Sequence, residues 1–418
     1  MLFRSPPSHV NPRSIIIACM TNHTCEPPPA SPLEAPHILS SRTAMDSDRP
    51  RSGNSQQSPK PEMKPASRAR ATLENWLHSQ WSKKGLFSLV FSPLSLAFLA
   101  VSRYREKHAT PERLPVPVVI VGNIYVGGTG KTPVTIAIAR GLMKRGWKPG
   151  IISRGYGRKS DAVQLVTPDS RAASSGDEPL LIARKTAAPV AVGRDRVAAG
   201  RLLLKSFPDT DIIISDDGLQ HYSLHRDVEL CVVGAHGIGN GWVLPAGPLR
   251  EPPSRLDRVD AIILNTTDEI LDTRTPRFAS SPYLGECRNL ATGETLPIDD
   301  LAERFEGKSF AAAAGIAVPG RFFAMLRGRG IACNPCVELG DHYDFRANPF
   351  ADIAADCILI TEKDAVKCRQ VPGIASDSRI WTVGYDIALE DYLLDFIDQK
   401  AREARHPNPS ANGATHES

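Results

Sequence analysis

The segment VGGTGKTP, Val126 to Pro133, follows an apolar run and precedes a helical pattern. Glycines 127, 128 and 130 let backbone N–H groups turn toward an anion, and a helix that starts there adds the partial positive charge of its N-terminus. Lys131 can reach the outer oxygens of a nucleoside triphosphate, and Thr132 can hold Mg²⁺. Tyr125 stands where a strict Walker A sequence has its first glycine. Residues Tyr125, Val126, Gly127, Gly128, Thr129, Gly130, Lys131 and Thr132 therefore read as an ATP-binding loop with one departure, against the plainer reading of a structural glycine turn.

Two acidic pairs could serve such a loop. IIISDDGLQH, Ile212 to His221, ends an apolar strand in Asp216 and Asp217, the place from which a carboxylate binds Mg²⁺ directly or through water. SGDEP carries a further acidic pair, Asp177 and Glu178, weak on its own because GDE occurs often in turns. Arg154 and Arg158 of SRGYGR, and Arg250 with Glu251 of GPLREP, could neutralise phosphate oxygens or contact a substrate, and Gln220 and His221 join them as candidates. As single features these could equally be solvated surface groups.

Such side chains need a scaffold that delivers strand ends to one edge. VPVVIVGN from Val116, a helical pattern from Lys131 to Arg145 and PGIISRGY from Pro149 form a β-α-β unit. Further apolar runs at Val190 to Val192, Ile212 to Ser215, Val228 to Val233 and Ala261 to Asn265, with a helical pattern over Gly193 to Ser206, predict an α/β fold: a P-loop NTPase-like, doubly wound, mostly parallel sheet over residues 115–305. A smaller C-terminal α/β lobe is expected over 306–400, from FAAAAGIA near Ser309, a helix around Pro319 to Gly328 and the strand CILITEK from Cys357. Residues 401–418 read as a polar tail.

The ends differ in composition. Residues 1–70 are rich in Pro, Ser and Arg without apolar periodicity, the signature of a disordered extension. Ile15 to Ala18 before Cys19 are too few apolar residues for a signal segment, and a start at Met45 or Met63 would remove most of the extension without touching a motif. Residues 73–110 read as an amphipathic, membrane-associated helical segment. Trp76, Trp81, Lys83 and Lys84 precede the apolar block Gly85 to Ser102, and Arg103, Arg105 and Lys107 follow it. Pro93 and Ser88, Ser92 and Ser95 weaken a spanning helix and favour one lying in the interface, with a buried core helix pair as the alternative.

A formal net charge of +4 over 418 residues argues against nucleic acid as a partner. Eight scattered cysteines do not form a secreted disulfide framework. Only Cys333 and Cys336 make a CxxC; a zinc site there would have to recruit His342 or Cys357, and incidental thiols are the simpler reading.

Taken in order, GNIYVGGTGKTP, SRGYGR, GDEP, DDGLQHYSLHRD, PAGPLREP and ITEKDAVK closely resemble the tetraacyldisaccharide 4′-kinase family of lipid A biosynthesis, over about Leu73 to Asp398. The resemblance implies transfer of the γ-phosphate of ATP, with Mg²⁺, to the 4′-hydroxyl of a tetraacylated glucosamine disaccharide 1-phosphate at the cytoplasmic face of an inner membrane. It implies that Lys131 and Thr132 are the P-loop lysine and threonine, that Asp177 is the catalytic base with Glu178 near the metal, and that His342 of the DHY segment supports Asp177. The extension over residues 1–70 has no counterpart in that pattern. A GTPase switch or metallochaperone would carry [NT]KxD and DxxG instead; here Glu362 separates Thr361 from Lys363, and Gly218 follows Asp217 directly. A membrane-tethered module that holds ATP without chemistry is the other alternative.

Overall fold

The computed structural model describes residues 76–77, 79–158, 160–265, 271–341 and 343–405. The extension over 1–70, the tail beyond 405 and His342 lie outside them. Among the described residues the strands are β1 Val118–Gly122, β2 Pro149–Ser153, β3 Gln164–Val166, β4 Val190–Val192, β5 Ile212–Asp216, β6 Val228–Val233, β7 Ala261–Asn265, β8 Arg277–Asn289, β9 Thr295–Leu296, β10 Phe310–Ala314, β11 Cys333–Glu338, β12 Cys357–Thr361 and β13 Ile380–Leu389. The principal helices are α1 Leu86–Lys107, α2 Lys131–Lys144, α3 Asp177–Thr186, α4 Arg196–Ser206, α5 Pro319–Gly328, α6 Glu362–Cys368 and α7 Asp391–Arg405.

The strands form one sheet in the order β11-β10-β12-β13-β8-β7-β6-β1-β5-β2-β4-β3, with β9 beside β8. Its pairings are parallel except β8 with β13, β3 with β4 and β8 with β9. Continuous apolar strands such as VVIVG fit a parallel sheet covered on both faces. Alternate residues of β1 enter different layers: Val119 and Val121 pack with Ile138, Leu142 and Leu180, while Val118 and Ile120 pack with Leu203, Ile213 and Leu224.

The spans 115–305 and 306–400 share this sheet. β8 runs parallel to β7 on one side and antiparallel to β13 on the other, so it carries the ladder from one half to the other. The last helix then turns back. Leu393, Ile397 and Ala401 of α7 bury against the first half, Trp147 Nε1 donates to Asp398 at 2.6 Å, and Lys400 pairs with Asp260 at 2.6 Å.

Helix α1 is the one helix among the described residues long and apolar enough to cross a membrane, and it is docked through its polar side. Ser88 and Ser95, two turns apart, are buried. Asn240 Nδ2 donates to Ser88 Oγ at 2.9 Å; Ser95 Oγ donates to the carbonyl of Val243 at 2.9 Å and accepts the amide of Ala246 at 3.0 Å. Trp81 Nε1 donates to the carbonyl of Pro245 at 3.0 Å, and Arg258 pairs with Glu106 at 2.6 Å. The opposite side is bare, with Leu86 77%, Leu89 65% and Leu94 57% exposed. Pro93 sits inside the helix without breaking it: it cannot donate to the carbonyl of Leu89, and Ser92 Oγ takes that acceptor at 2.8 Å. The serines that weaken the block as a spanning segment are thus partly its docking seam and partly its repair.

Replacing Ser95 by Ala strands a buried amide and a buried carbonyl, a loss of about 1–3 kcal/mol. The variant is expected to melt several degrees below the parent, whereas Ser92→Ala, at an exposed bond, is expected to change the melting temperature by no more than about 1–2 °C. Thermal denaturation followed by circular dichroism in detergent measures both.

Candidate active site

The phosphate loop is fixed by asparagines at two strand ends. Asn123, just past β1, donates from Nδ2 to Tyr125 O at 2.7 Å and to Thr129 Oγ1 at 2.9 Å; Asn265, the last residue of β7, donates to Thr129 O at 2.9 Å. Gly130 has φ +84°, and a Cβ there would lie 1.9 Å from Asn265 Nδ2, so both conformation and space demand glycine. A Cβ on Gly128 would lie 2.9 Å from Ala317 Cβ, which shows how closely the loop approaches the segment after β10. Tyr125 turns its ring inward, where it stacks on His236 with centroids 5.8 Å apart, and burial pushes its phenol up to about 12. The amide of Val126 donates to Pro248 O at 2.9 Å. Of the eight residues expected to bind ATP, Tyr125 and Val126 therefore anchor the loop, while Lys131 and Thr132 open α2 at its end.

Asp216 is buried at the end of β5. Thr135 Oγ1 of α2 donates to its Oδ1 and Ser153 Oγ of β2 to its Oδ2, both at 3.1 Å. Burial, with Glu178 and Asp217 nearby, pushes its carboxyl up to about 7 despite Lys131. Asp217 has φ +49° and faces Lys131 Nζ at 3.5 Å and Arg250 Nη1 at 3.1 Å. Burial opposes its charge, but Lys131 and Arg250 prevail and hold its carboxyl below the usual range. The donors these groups offer, two carboxylates and the Thr132 hydroxyl, are hard oxygens that fit Mg²⁺, a cation that keeps water and phosphate as most of its ligands.

Asp177 and Glu178 begin α3 rather than sitting in a turn. Gly176, φ +89°, lets the helix start against the SRGYGR loop, where a Cβ would lie 3.1 Å from Gly155 Cα and from Tyr156 O. Both acids meet lysines of α6. Lys367 Nζ lies 2.8 Å from Asp177 Oδ2; Lys363 Nζ lies 3.1 Å from Asp341 and 3.9 Å from Glu178. Burial works against the Lys363 charge, but Asp341 and Glu178 outweigh it and raise its pKa. Nothing in the sequence alone assigned these lysines a role; their signal is the four-residue spacing in EKDAVK directly after a buried strand.

The remaining candidates divide. Gln220 Nε2 donates to Asn123 O at 3.0 Å and to Glu251 Oε1 at 2.7 Å, and Glu251 pairs with Arg255 at 3.1 Å, which joins the GPLREP and DDGLQH segments to the loop. His221 Nε2 accepts the amide of Arg196 at 3.2 Å, and burial next to Arg196 pulls the imidazole down to about 4, so this neutral ring caps α4. Arg154 is exposed, and Arg158 donates to Ala162 O at 2.6 Å. Arg196, missed in the sequence, is buried between Gly193 O and Asp217 O, and burial pulls its guanidinium down to about 10. A cavity of about 360 Å³ opens between α1 and this network, walled by Leu99, Ser102, Arg103, Tyr222, Glu251 and Arg258. Cys333 and Cys336 are free thiols on β11.

The raised Asp216 carboxyl links stability to pH. The folded chain holds this proton to about pH 7 and the unfolded chain only to about 4, so the stability it contributes is full below pH 4 and lost as pH rises through 7. Asp216→Asn removes the buried charge and is expected to raise the melting temperature by several degrees at pH 8 and by much less at pH 5, in metal-free buffer. Equal shifts at both pH values would show that Asp216 does not change its protonation state between them.

Comparison with known proteins fits this geometry. Residues 87–402 match the LpxK family, tetraacyldisaccharide-1-P 4′-kinase. The tetraacyldisaccharide 4′-kinase of Herminiimonas arsenicoxydans is 46% identical over 355 residues, 81% of this chain and 98% of that protein. Its counterpart in Janthinobacterium sp. is 47% identical over 343 residues, 80% and 97% of the two chains. A crystal structure of LpxK from Aquifex aeolicus in complex with ATP superposes with a TM-score of 0.65 at 27% identity, covering 75% of this chain and 99% of that one. From the phosphate loop to the α6 lysines, the chain belongs to the tetraacyldisaccharide-1-P 4′-kinase family.

Proposed function

We propose that this protein transfers the γ-phosphate of ATP to the 4′-hydroxyl of a tetraacyldisaccharide 1-phosphate, a step of lipid A synthesis. The observation that carries this reading is the meeting of Lys131, Asp217, Asp216, Glu178 and Asp177 at the carboxyl ends of parallel strands, beside a helix with a bare apolar side.

Phosphoryl transfer asks a protein for alignment and charge balance rather than covalent chemistry. The loop amides and Lys131 hold the triphosphate. Thr132, Asp216, Asp217 and Glu178 would be the oxygen donors for Mg²⁺, which when bound would neutralise charge on the phosphate oxygens. Asp177 accepts the proton of the sugar hydroxyl as its oxygen attacks the γ-phosphorus and the bond to ADP breaks. His342 supports that acid, as the family resemblance suggests. The cavity beside Arg103, Arg258 and Glu251 supports a place for the polar head of the acceptor near the loop.

The same reading puts the exposed side of α1 in the cytoplasmic leaflet of the inner membrane, lying in it rather than crossing it. Bonds at Ser88, Ser95 and Glu106 tie the helix to the domain over much of its length, and Lys83, Lys84, Arg103, Arg105 and Lys107 favour an anionic surface.

Incubation with ATP, Mg²⁺ and the disaccharide 1-phosphate is expected to give a bisphosphorylated lipid, and Lys131→Ala to lower kcat by about 10²–10³ in a folded protein. No lipid product from the parent protein would refute the reading. The double variant Leu89→Asp, Leu94→Asp alters only exposed positions; it is expected to keep the parent melting temperature while losing at least about tenfold in partition to phosphatidylglycerol-containing vesicles, measured by flotation.

A further inference from the structure

α3 and α6 meet end to end through charge. Lys185, near the end of α3, pairs at 2.5 Å with Glu362, the first residue of α6, and Lys367, near the end of α6, pairs at 2.8 Å with Asp177, the first residue of α3. The Lys367 and Asp177 side chains are only 13% and 12% exposed, so this is a largely desolvated pair rather than a surface contact. The start of α6 is fixed independently: the Asp364 carboxylate accepts Thr361 Oγ1 at 2.6 Å and the Gly315 amide at 3.0 Å. Lys367 Nζ also donates to the carbonyl of Tyr343 at 2.9 Å. One ammonium group therefore holds an oxygen of Asp177 and the backbone carbonyl of Tyr343 together.

Resting on the reading of Asp177 as the base, we propose that Lys367 is a positioning residue for phosphoryl transfer. By holding Oδ2 it fixes the orientation of the carboxylate, so that the base meets the acceptor hydroxyl in one geometry. Misplacing a reacting group by about 1 Å can cost 10²-fold in rate, and the contact with Lys367 restricts the two rotatable bonds of the Asp177 side chain against that error. α6 comes from the far half of the sheet, so the base on α3 is complete only when both halves are assembled.

The test measures kcat, both KM values and melting temperature for the full chain in detergent with the lipid acceptor. Lys367→Met is expected to lower kcat by about 10–10²-fold with both KM values within about twofold of the parent. Lys367→Arg, which keeps a cation in reach of Oδ2, is expected to recover most of the loss. Lys367→Gln, which keeps a donor for the Tyr343 carbonyl but no charge, is expected to resemble Lys367→Met. In an Asp177→Asn background the Lys367→Met change is expected to add less than about threefold, because the two groups act as one unit.

A parent-like kcat for Lys367→Met, full recovery by Lys367→Gln, or losses that multiply in the double variant would each overturn the inference. So would a fall in melting temperature with both KM values raised together, the mark of a structural lysine. Absence of lipid phosphorylation by the parent protein would overturn the kinase reading and this inference with it; normal parent turnover with any of the preceding results overturns the inference alone.

Discussion

The structure is organised around a carboxyl group that it keeps almost entirely from water. Asp216 ends the central strand β5, and the hydroxyls that satisfy it come from β2 and from α2, the helix that follows the phosphate loop. Removing an acid from water is costly unless hydrogen bonds and opposite charge replace the solvent. Ser153 and Thr135 supply the hydrogen bonds and Lys131 only part of the charge, so burial still raises the carboxyl, while the two hydroxyl contacts set the strands and the helix after the loop in register with one another. The same rule spreads outward: Asp217 is balanced by Lys131 and Arg250, Asp177 by Lys367, and Glu178 with Asp341 by Lys363. The motifs are separate in sequence because each supplies one sign of a charge that another must answer.

Parallel strands make this possible. Strands β1, β5 and β7 end at one edge; β10 and β12 are parallel to β13 and so run the opposite way, but because β7 ends beside Ser280 of β8 and β12 ends level with its Cys287, the two sets of carboxyl ends face one another and their loops converge. Asn265 after β7 and Ala317 after β10 both touch the phosphate loop. The antiparallel joint between β8 and β13, with α7 folded back over the first half, binds the two spans into a single frame. That frame brings the lysines of α6 against α3.

The local parts of this arrangement were legible in the sequence. Buried strands are runs of apolar residues, and a phosphate loop is glycines before a Lys-Thr pair; both signals lie within a few residues. Three features were not. β8 reads RFASSPYLGECRN, with alternate residues exposed and a proline and a glycine inside, so no apolar run marks it, and with β8 goes the continuity of the sheet. The Lys367–Asp177 pair joins residues 190 positions apart, and nothing near either one reports the other. Tyr125, read as a departure from a glycine, is in fact a buried anchor, because a side chain at that position can turn into the core when the amide of the next residue is already bonded to Pro248.

The docking seam of α1 has a physical reason of its own. A helix that meets both protein and lipid has two apolar solvents to choose from, and a leucine face gains nearly as much from acyl chains as from a protein surface. An all-apolar helix would be free to roll. Serines at 88 and 95 remove that freedom, because their hydroxyls and the groups they meet on Asn240, Val243 and Ala246 lose hydrogen bonds if the helix turns. Orientation is then set by polar contacts, and on the proposed reading depth is set by the exposed leucines. From the far end of the helix a polar route leads inward: Glu106 to Arg258 at the cavity, then Glu251, Gln220 and Arg250 to Asp217 and Lys131. On the proposed reading, an acceptor whose acyl chains stay in the bilayer presents its sugar at a fixed height, and a helix pinned by hydrogen bonds holds the reacting groups at that height.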